Sequence, residues 1–403
     1  MTSVIEWIEE KIKNEYIHYF EYDKFSHFYE VGRGSFGEVI KANLANKGLV
    51  ALKIISSKNS KEKLNEVNDE FVKELKLLRE IDYHSNINRI LGITKDSKSY
   101  ILVLEYANEG NLRDYLKNNF AFLKWNYKIK MALDITNGLK FLHSKEIIHR
   151  DLHSKNILVN NGKLLIADFG LSKKLAEVTT SSMGNKMGMY EYIEPQCIKN
   201  IKYKKDKKSD IYSLGVLLWE ISSGRPPFHD YYNRNLLAIH ISFNNLREKP
   251  TEGTHSKYQQ LYKECWDDEP KSRPNIEEVY KILNTVTVKK SKKSAKHQIP
   301  FFRLPFPPEL TVEEILRSGT KDKFRSNPPN RYFIYRLAFL KELRKRTADD
   351  IAPMSKISAH VSSMWFNEST PVRDVYKELS DQVESRLKEK SVRINESYKP
   401  LSY

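Results

Sequence analysis

Apolar residues in the first hundred positions cluster in short runs with strand character: "FYEVG", "GEVIKANL", "LVALKII" and "YILVLEY". Between the last two lies a charged stretch of helical period, "NEVNDEFVKELKLLREI". From "WNYKIKMALDITNGLKFLH" onward the period changes, and Ile129, Leu133, Thr136, Leu139 and Leu142 mark one face of a helix. The pattern predicts a small β-rich lobe followed by a larger α-rich lobe. Ahead of it, residues 1–25 carry Ile5, Ile8, Ile12 and Tyr16 at helical spacing, an amphipathic lead-in to a body that starts near Ser26. The body ends about Leu283, and "VTVKKSKKSAKHQIP" reads as a solvated linker.

Helical periodicity returns after the linker. "IPFFRLPFPPELTVEEIL" is a mixed lead-in or docking segment, and three amphipathic stretches follow it. Tyr332, Tyr335, Phe339 and Leu343 share the first apolar face; Ile357, Val361, Met364 and Trp365 the second; Val375, Leu379, Val383 and Leu387 the third. Thr370 and Pro371 suit the N-cap and first turn of the third helix. The division expected is 1–25 lead-in, 26–284 first domain, 285–323 linker and docking segment, 324–391 second domain and 392–403 tail.

Composition narrows the class. In 403 residues, 40% hydrophobic content can fill cores, and 15 Pro with 15 Gly are too few for a low-complexity chain. No run approaches the roughly 18 apolar residues a membrane helix needs, so no membrane partner is expected. "MTSVIEWIEE" lacks the basic and apolar regions of a secretory signal, and Cys197 and Cys265 are too few for a disulfide framework or a zinc site. An intracellular protein is expected. Net charge is +6 over residues 1–284 and +10 over 285–403, so the shorter tail holds most of the basic excess. That asymmetry favours an anionic polymer or surface as partner, and "KKSKKSAK" reads either as a nuclear localisation signal or as a soluble linker. The nucleus is the favoured compartment, the cytoplasm the alternative.

Within the first domain, "VGRGSFGEV" spaces Gly32, Gly34 and Gly37 so that backbone can approach phosphate oxygens, although a plain glycine-rich hairpin has the same look. In "VALKII", Lys53 stands on an alternating strand with Glu74 on the helix beyond; the pair reads as phosphate grip and brace, or as solvated surface charges. "HRDLHSKNIL" (149–158) crowds His149, Arg150, Asp151, Lys155 and Asn156 together, and "LLIADFGL" puts Asp168 at a strand end before Gly170. With "SDIYSLGVLLWE" and "CWDDEPKSRP" in the same order, residues 26–284 resemble the protein kinase family, nearest the tyrosine-kinase-like group.

That resemblance implies a bilobal α+β fold, ATP and Mg²⁺ as cofactors and a protein substrate. It implies catalytic roles for Asp151, Lys53, Glu74, Asn156 and Asp168, with Asn156 and Asp168 as metal ligands. The ATP site would comprise Val31, Gly32, Gly34, Ser35, Gly37, Val39, Ala51, Lys53, Leu104 as gatekeeper, Glu105 and Ala107 of the hinge, and Leu158. His149 is expected in the core. Arg150 could pair with a phosphorylated Thr179, Thr180, Ser181 or Ser182.

Two departures stand out. Gln196 replaces the Glu that the family pairs with an arginine matching Arg273, so that cation is expected to be less compensated. His153 and Met189 replace the residues most serine/threonine kinases carry, and Lys155 sits at a spacing nearer that of tyrosine kinases; serine/threonine preference is favoured, tyrosine or dual specificity the alternative.

Residues 324–391 resemble an HMG box of the fungal mating-type subgroup, through "PPNRYFIYR", "SKISAHVSSMW" and the rhythm of the last helix. This implies a three-helix, L-shaped domain that binds double-stranded DNA in the minor groove. Phe333 would be the wedge; Asn330, Ser355 and Ser358 would face base edges; Arg325, Arg331, Arg336 and Lys341 would meet phosphates. Met354 stands where sequence-specific members often carry a polar contact. Rival readings are a kinase-fold scaffold and a tail that binds protein.

Overall fold

The computed structural model describes residues 4–14, 16–34, 37–55, 69–97, 99–178, 189–286, 304–318, 329–346 and 370–396, with single positions Ile357, Val361, Met364, Trp365 and Glu368. The chain forms two compact units, Met1–Val288 and Lys289–Tyr403.

The first unit opens with helix α1 (Val4–Lys13) and a five-stranded antiparallel sheet of order β1-β2-β3-β5-β4. Its strands are β1 (Phe25–Gly34), β2 (Gly37–Leu44), β3 (Gly48–Ile55), β4 (Ile90–Lys95) and β5 (Tyr100–Glu105). Helix α2 (Asp69–Ile81) lies between β3 and β4 in the chain and buries Phe71, Val72, Leu75 and Leu78. Phe20, Ala42, Leu44, Val50, Leu52, Ile101 and Val103 form a core on the sheet. Phe20 belongs to the expected lead-in, so that segment is part of the lobe's packing. Tyr16 lies beyond the end of α1 and is about half exposed, outside the predicted helical stripe.

The helical lobe is built around α4 (Trp125–Ser144) and α6 (Lys207–Ser223). On α4 the buried residues are Ile129, Ala132, Ile135, Thr136, Leu139 and Leu142, with Leu133 less deep. Helix α6 is buried on every side from Ser209 to Ser222, which a helix can be only at the centre of a core. An Asp206–Ser209 capping box starts it and Gly224, at φ 74°, ends it. The hairpin β7 (Ile157–Asn160) and β8 (Lys163–Ile166) lies at the front of this lobe, facing the sheet lobe through a bridge between Ile87 and Ile166.

The expected shortfall at Arg273 does not occur. Its guanidinium Nη1 lies 2.6 Å from Glu194 Oε2, and both side chains are fully buried. Nε and Nη2 donate to the carbonyls of Asp267 and Asp268, and Ser209 Oγ donates to the other Glu194 oxygen. Gln196, at the start of the short helix Gln196–Lys199, is only half-buried and donates to Asp268 O at 3.1 Å. The acid that meets the arginine thus comes from two positions upstream, because the turn into that helix points Glu194 inward.

In the second unit the helices Val312–Arg317, Arg331–Arg346 and Thr370–Glu396 surround one core. Ile334, Tyr335, Ala338, Phe339 and Leu343 contribute from the middle of these three, and Ile357 and Val361 from the segment after it. Leu304, Leu310 and Ile315 enter the same core from the stretch expected to be a docking or lead-in segment. On the last helix the inward row is Val372, Tyr376, Leu379, Val383 and Leu387; Val375 is half-buried and stands outside that core, a correction to the predicted face.

Removing one partner of a buried ion pair leaves an uncompensated charge, at a cost of about 3–5 kcal/mol. Glu194→Gln is therefore expected to lower the stability of the kinase-like unit by that amount in urea unfolding, whereas Gln196→Ala costs about 1 kcal/mol.

Candidate active site

The site begins with a strand pairing. Gly34 and Gly37 face each other at the tip of the β1–β2 hairpin. Ser35 lies outside the described residues. A Cβ on Gly37, at φ 138°, would fall 1.8 Å from Ile54 O, so the hairpin cannot cross β3 with any other residue there. Gly32 has nothing within 4 Å of such a Cβ; packing does not require glycine, and the space over the hairpin is open.

β3 carries Lys53 into the cleft between Val39 of β2 and Leu102 of β5. The ammonium is buried and lies 2.6 Å from Glu74 Oε1 on α2 and 2.7 Å from Asp168 Oδ1. Burial alone would pull the amine's pKa down, but the two carboxylates hold it above its usual value. Burial pushes the Asp168 carboxyl up, and the charge and hydrogen bond of Lys53, with the Gly170 N–H, hold it below the usual range. One cation and two anions leave this cluster net negative.

Asp168 follows β8 with φ 61°, a conformation that aims its carboxylate back at Lys53 while Phe169 turns into the core. Phe169 packs edge-on against His149, 5.3 Å between centroids. His149 is fully buried, as expected, and its Nε2 lies 3.1 Å from Ala167 O. The Ala167 N–H donates to Asn156 O at 2.9 Å, and Asn156 Nδ2 donates to Asp151 O at 2.9 Å. A chain of hydrogen bonds thus runs from Asp151 through Asn156 to Ala167, the residue before Asp168. The Asn156 amide nitrogen is engaged, which leaves its Oδ1 as the donor atom for a cation.

Three side chains for which the sequence pattern implies no role contact the segment 149–156. Asp210 of α6 is buried and accepts from the N–H groups of His149 and Arg150, each at 2.9 Å, and contacts His143 Nε2 at 3.0 Å. Burial would raise its pKa; the hydrogen bond and charge of His143, with His149 and the Arg150 N–H, hold it below the usual range. Arg113, on the helix Leu112–Asn119, donates to Ser154 Oγ at 3.0 Å, to Glu220 at 3.2 Å and to Tyr192 OH at 2.9 Å. His153 Nε2 lies 3.7 Å from Asp151 Oδ2. Asp210 lies within "SDIYSLG", but nothing local marks that acid as the anchor of a loop sixty residues earlier.

The residues expected to line an adenine pocket come from both lobes. Ala51 stands opposite Leu104 in the register, and both Ala51 and Ala107 are buried. Val39 and Leu158 are half-buried, and Val31 is 55% exposed, an apolar surface the protein leaves uncovered. Glu105 receives a hydrogen bond from Asn160 Nδ2 at 3.0 Å, which ties the hinge to β7. Arg150 is buried, with φ 70°, and its Nη1 is 3.4 Å from Leu171 O. Thr179, Thr180, Ser181 and Ser182 lie outside the described residues.

Among the described residues no group of three or more His, Cys, Asp or Glu could hold a metal alone. Asn156 and Asp168 offer two oxygen ligands, which suits a hard cation that completes its shell with phosphate oxygens and water. The residues therefore fit a nucleotide with its divalent ion.

Residues 26–283 match the model of the protein tyrosine and serine/threonine kinase family. The chain belongs to that family. The serine/threonine-protein kinase STY17 of Arabidopsis thaliana is 30% identical over 63% of this chain and 43% of its own length. The serine/threonine-protein kinase VIK of the same plant is 34% identical over 65% of this chain and 60% of its own length. The human tyrosine-protein kinase Fer is 31% identical over 64% of this chain and 30% of its own length. The chain thus spans between about a third and three fifths of the length of these relatives.

In the second unit, Asn330 caps the helix Arg331–Arg346 by accepting the Phe333 N–H at 2.9 Å, so its Oδ1 is engaged in the fold. Phe333 and Arg336 are half-buried, and Arg331 is exposed. Lys341, expected to meet phosphate, is ion-paired with Glu314 at 2.8 Å. Trp365 packs 5.0 Å from Tyr335, in the core as expected. Arg325, Met354, Ser355 and Ser358 lie outside the described residues. Among the described residues no helix is long and apolar enough to cross a membrane.

Asp210→Ala leaves two buried N–H groups and His143 without their acceptor, at about 1–3 kcal/mol for each unmet group. Urea unfolding of the variant should show a loss of at least about 3 kcal/mol, whereas Lys155→Ala, on the exposed face of the same loop, stays within about 0.5 kcal/mol of the parent.

Proposed function

We propose that the chain is an ATP- and Mg²⁺-dependent protein kinase. The observation that supports this most directly is the Lys53 ammonium held between Glu74 and Asp168, with Asp151 and Asn156 hydrogen-bonded to each other and to Ala167, the residue before Asp168. In this reading Lys53 holds the α- and β-phosphates, braced by Glu74, and the amides of the glycine hairpin cover the phosphates from above. Asn156 and Asp168 hold the cation that offsets phosphate charge. Asp151 accepts the hydrogen bond of the acceptor hydroxyl and orients its oxygen for in-line transfer. Arg150 receives a phosphate placed on one of the hydroxyls at 179–182.

Serine and threonine are the favoured acceptors. The names of STY17 and VIK support this, and that of Fer keeps tyrosine as the second reading. For the tail, residues 324–391, the reading is an HMG-box-like domain that binds duplex DNA in the minor groove and acts in the nucleus. Its support is the "PPNRYFIYR" segment, the aromatic core and the basic excess of residues 285–403.

Incubating the full chain with labelled ATP and generic protein acceptors, followed by phosphoamino-acid analysis, should yield phosphoserine and phosphothreonine; phosphotyrosine alone would reverse the preference. Asp168→Ala should reduce transfer by about two orders of magnitude or more while the chain stays folded. Undiminished activity would refute the metal assignment.

For the tail, duplex affinity should fall steeply as salt rises, and Phe333→Ala should reduce DNA bending more than it reduces binding. Equal bending by both proteins would remove the wedge, and salt-independent binding would remove the DNA reading.

A further inference from the structure

We propose that the segment before the kinase domain, residues 4–20, is a brace that holds α2 where Glu74 meets Lys53, and that Trp7 and Tyr16 are positioning residues for the phosphate-gripping lysine. The proposal rests on the kinase reading above. It goes beyond it by giving catalytic weight to a stretch that lies outside the matched residues 26–283.

The brace has two anchors. One is on α2. The Lys76 ammonium stands 4.5 Å above the centroid of the Trp7 ring, and the Arg79 guanidinium 5.3 Å from that of Tyr16. Lys76 and Arg79 are three residues apart, hence on one face of α2, and Lys76 is only two residues from Glu74. Ile8 and Ile17, each next in the chain to one of the two aromatic residues, are almost fully buried, so the segment is packed down and not merely touching at its aromatic side chains.

The other anchor is on the sheet. Phe20 N donates to Ile93 O and Ile93 N to His18 O, both at 2.9 Å, so residues 18–20 run alongside β4 as a short parallel pairing. Phe20 enters the core of the sheet. The approach is so close that a Cβ on Gly92 would lie 2.2 Å from His18 O, which makes glycine at that place a requirement of this pairing.

A helix that must keep one side chain 2.6 Å from a lysine on a neighbouring strand needs restraint against rolling and sliding. On the face of α2 that carries Lys76 and Arg79, that restraint comes from Trp7 and Tyr16. One short segment thus ties α2 to β4, in addition to the hydrogen bond that Ile90 N at the start of β4 donates to Asp82 Oδ1 just past the end of α2. Cation–π contacts of this kind are modest individually, so their effect should appear as a shift in the population of the Glu74-engaged state, not as loss of the fold.

The test uses the full chain with Trp7→Ala, Tyr16→Ala, the double variant and the conservative Trp7→Phe. Amide hydrogen exchange, read by mass spectrometry, should rise about tenfold or more in residues 69–81 of the double variant while α4 and α6 keep their protection. Phosphate transfer at saturating ATP should fall about tenfold in the double variant, and Trp7→Phe should restore most of the Trp7→Ala loss. In a Glu74→Gln background the same double substitution should change transfer less than twofold, because the group it positions is already gone. Unchanged exchange in residues 69–81 would overturn the brace, as would exchange raised equally throughout both lobes, or an equal activity loss with and without Glu74. A parent chain with no transfer activity would sink the kinase reading, and the exchange measurement would still decide whether residues 4–20 hold α2.

Discussion

The buried contact of Lys53 with Glu74 and Asp168 is the constraint that organises the first unit. An ammonium withdrawn from water is tolerated only when its partners are supplied with good geometry. The partners come from positions 21 and 115 residues away, one on a helix of the sheet lobe and one at the end of a strand in the helical lobe. Satisfying the lysine therefore requires both lobes to be folded and correctly opposed. The excess of negative charge that results is an arrangement that favours an added divalent cation in the cleft.

Around that contact the protein relies on fixed dipoles and packing more than on loops. Asp210, from the most deeply buried helix, holds the backbone of His149 and Arg150 in place. Arg113 joins the 3₁₀ turn that carries Asn156 to Glu220 of the same helix. The catalytic loop is thus suspended from α6, whose own position is set by hydrophobic burial on all sides. A site that must place several oxygens within a fraction of an ångström gains from being hung on the least deformable element available.

The Arg273 pair shows how a local motif and the structure can diverge without conflict. By motif the arginine faces Gln196 and lacks an anionic partner; in space Glu194 reaches it from two positions earlier. Neutralising a buried guanidinium is a demand on the space around it, which any acid within reach can meet. The tail gives a milder case. The helix Arg331–Arg346 buries Tyr335, Phe339 and Leu343 as periodicity indicates, yet the last helix turns Tyr376 inward in place of Val375, because the aromatic ring fits the space beside Tyr335 and Trp365.

Read alone, the chain discloses the two-lobed order of strands and helices, because that depends on local period, and its likeness to the kinase family singles out Lys53, Glu74, Asp151, Asn156 and Asp168 as candidates. Only the tertiary structure decides that Asp210 anchors the catalytic loop, that Glu194 answers Arg273, that Leu304, Leu310 and Ile315 join the core of the tail, and that residues 4–20 lie across α2 and β4. Each of those contacts links segments whose local patterns are self-sufficient. What pairs them is the burial of charge and apolar surface in three dimensions, a requirement that leaves no period in the chain.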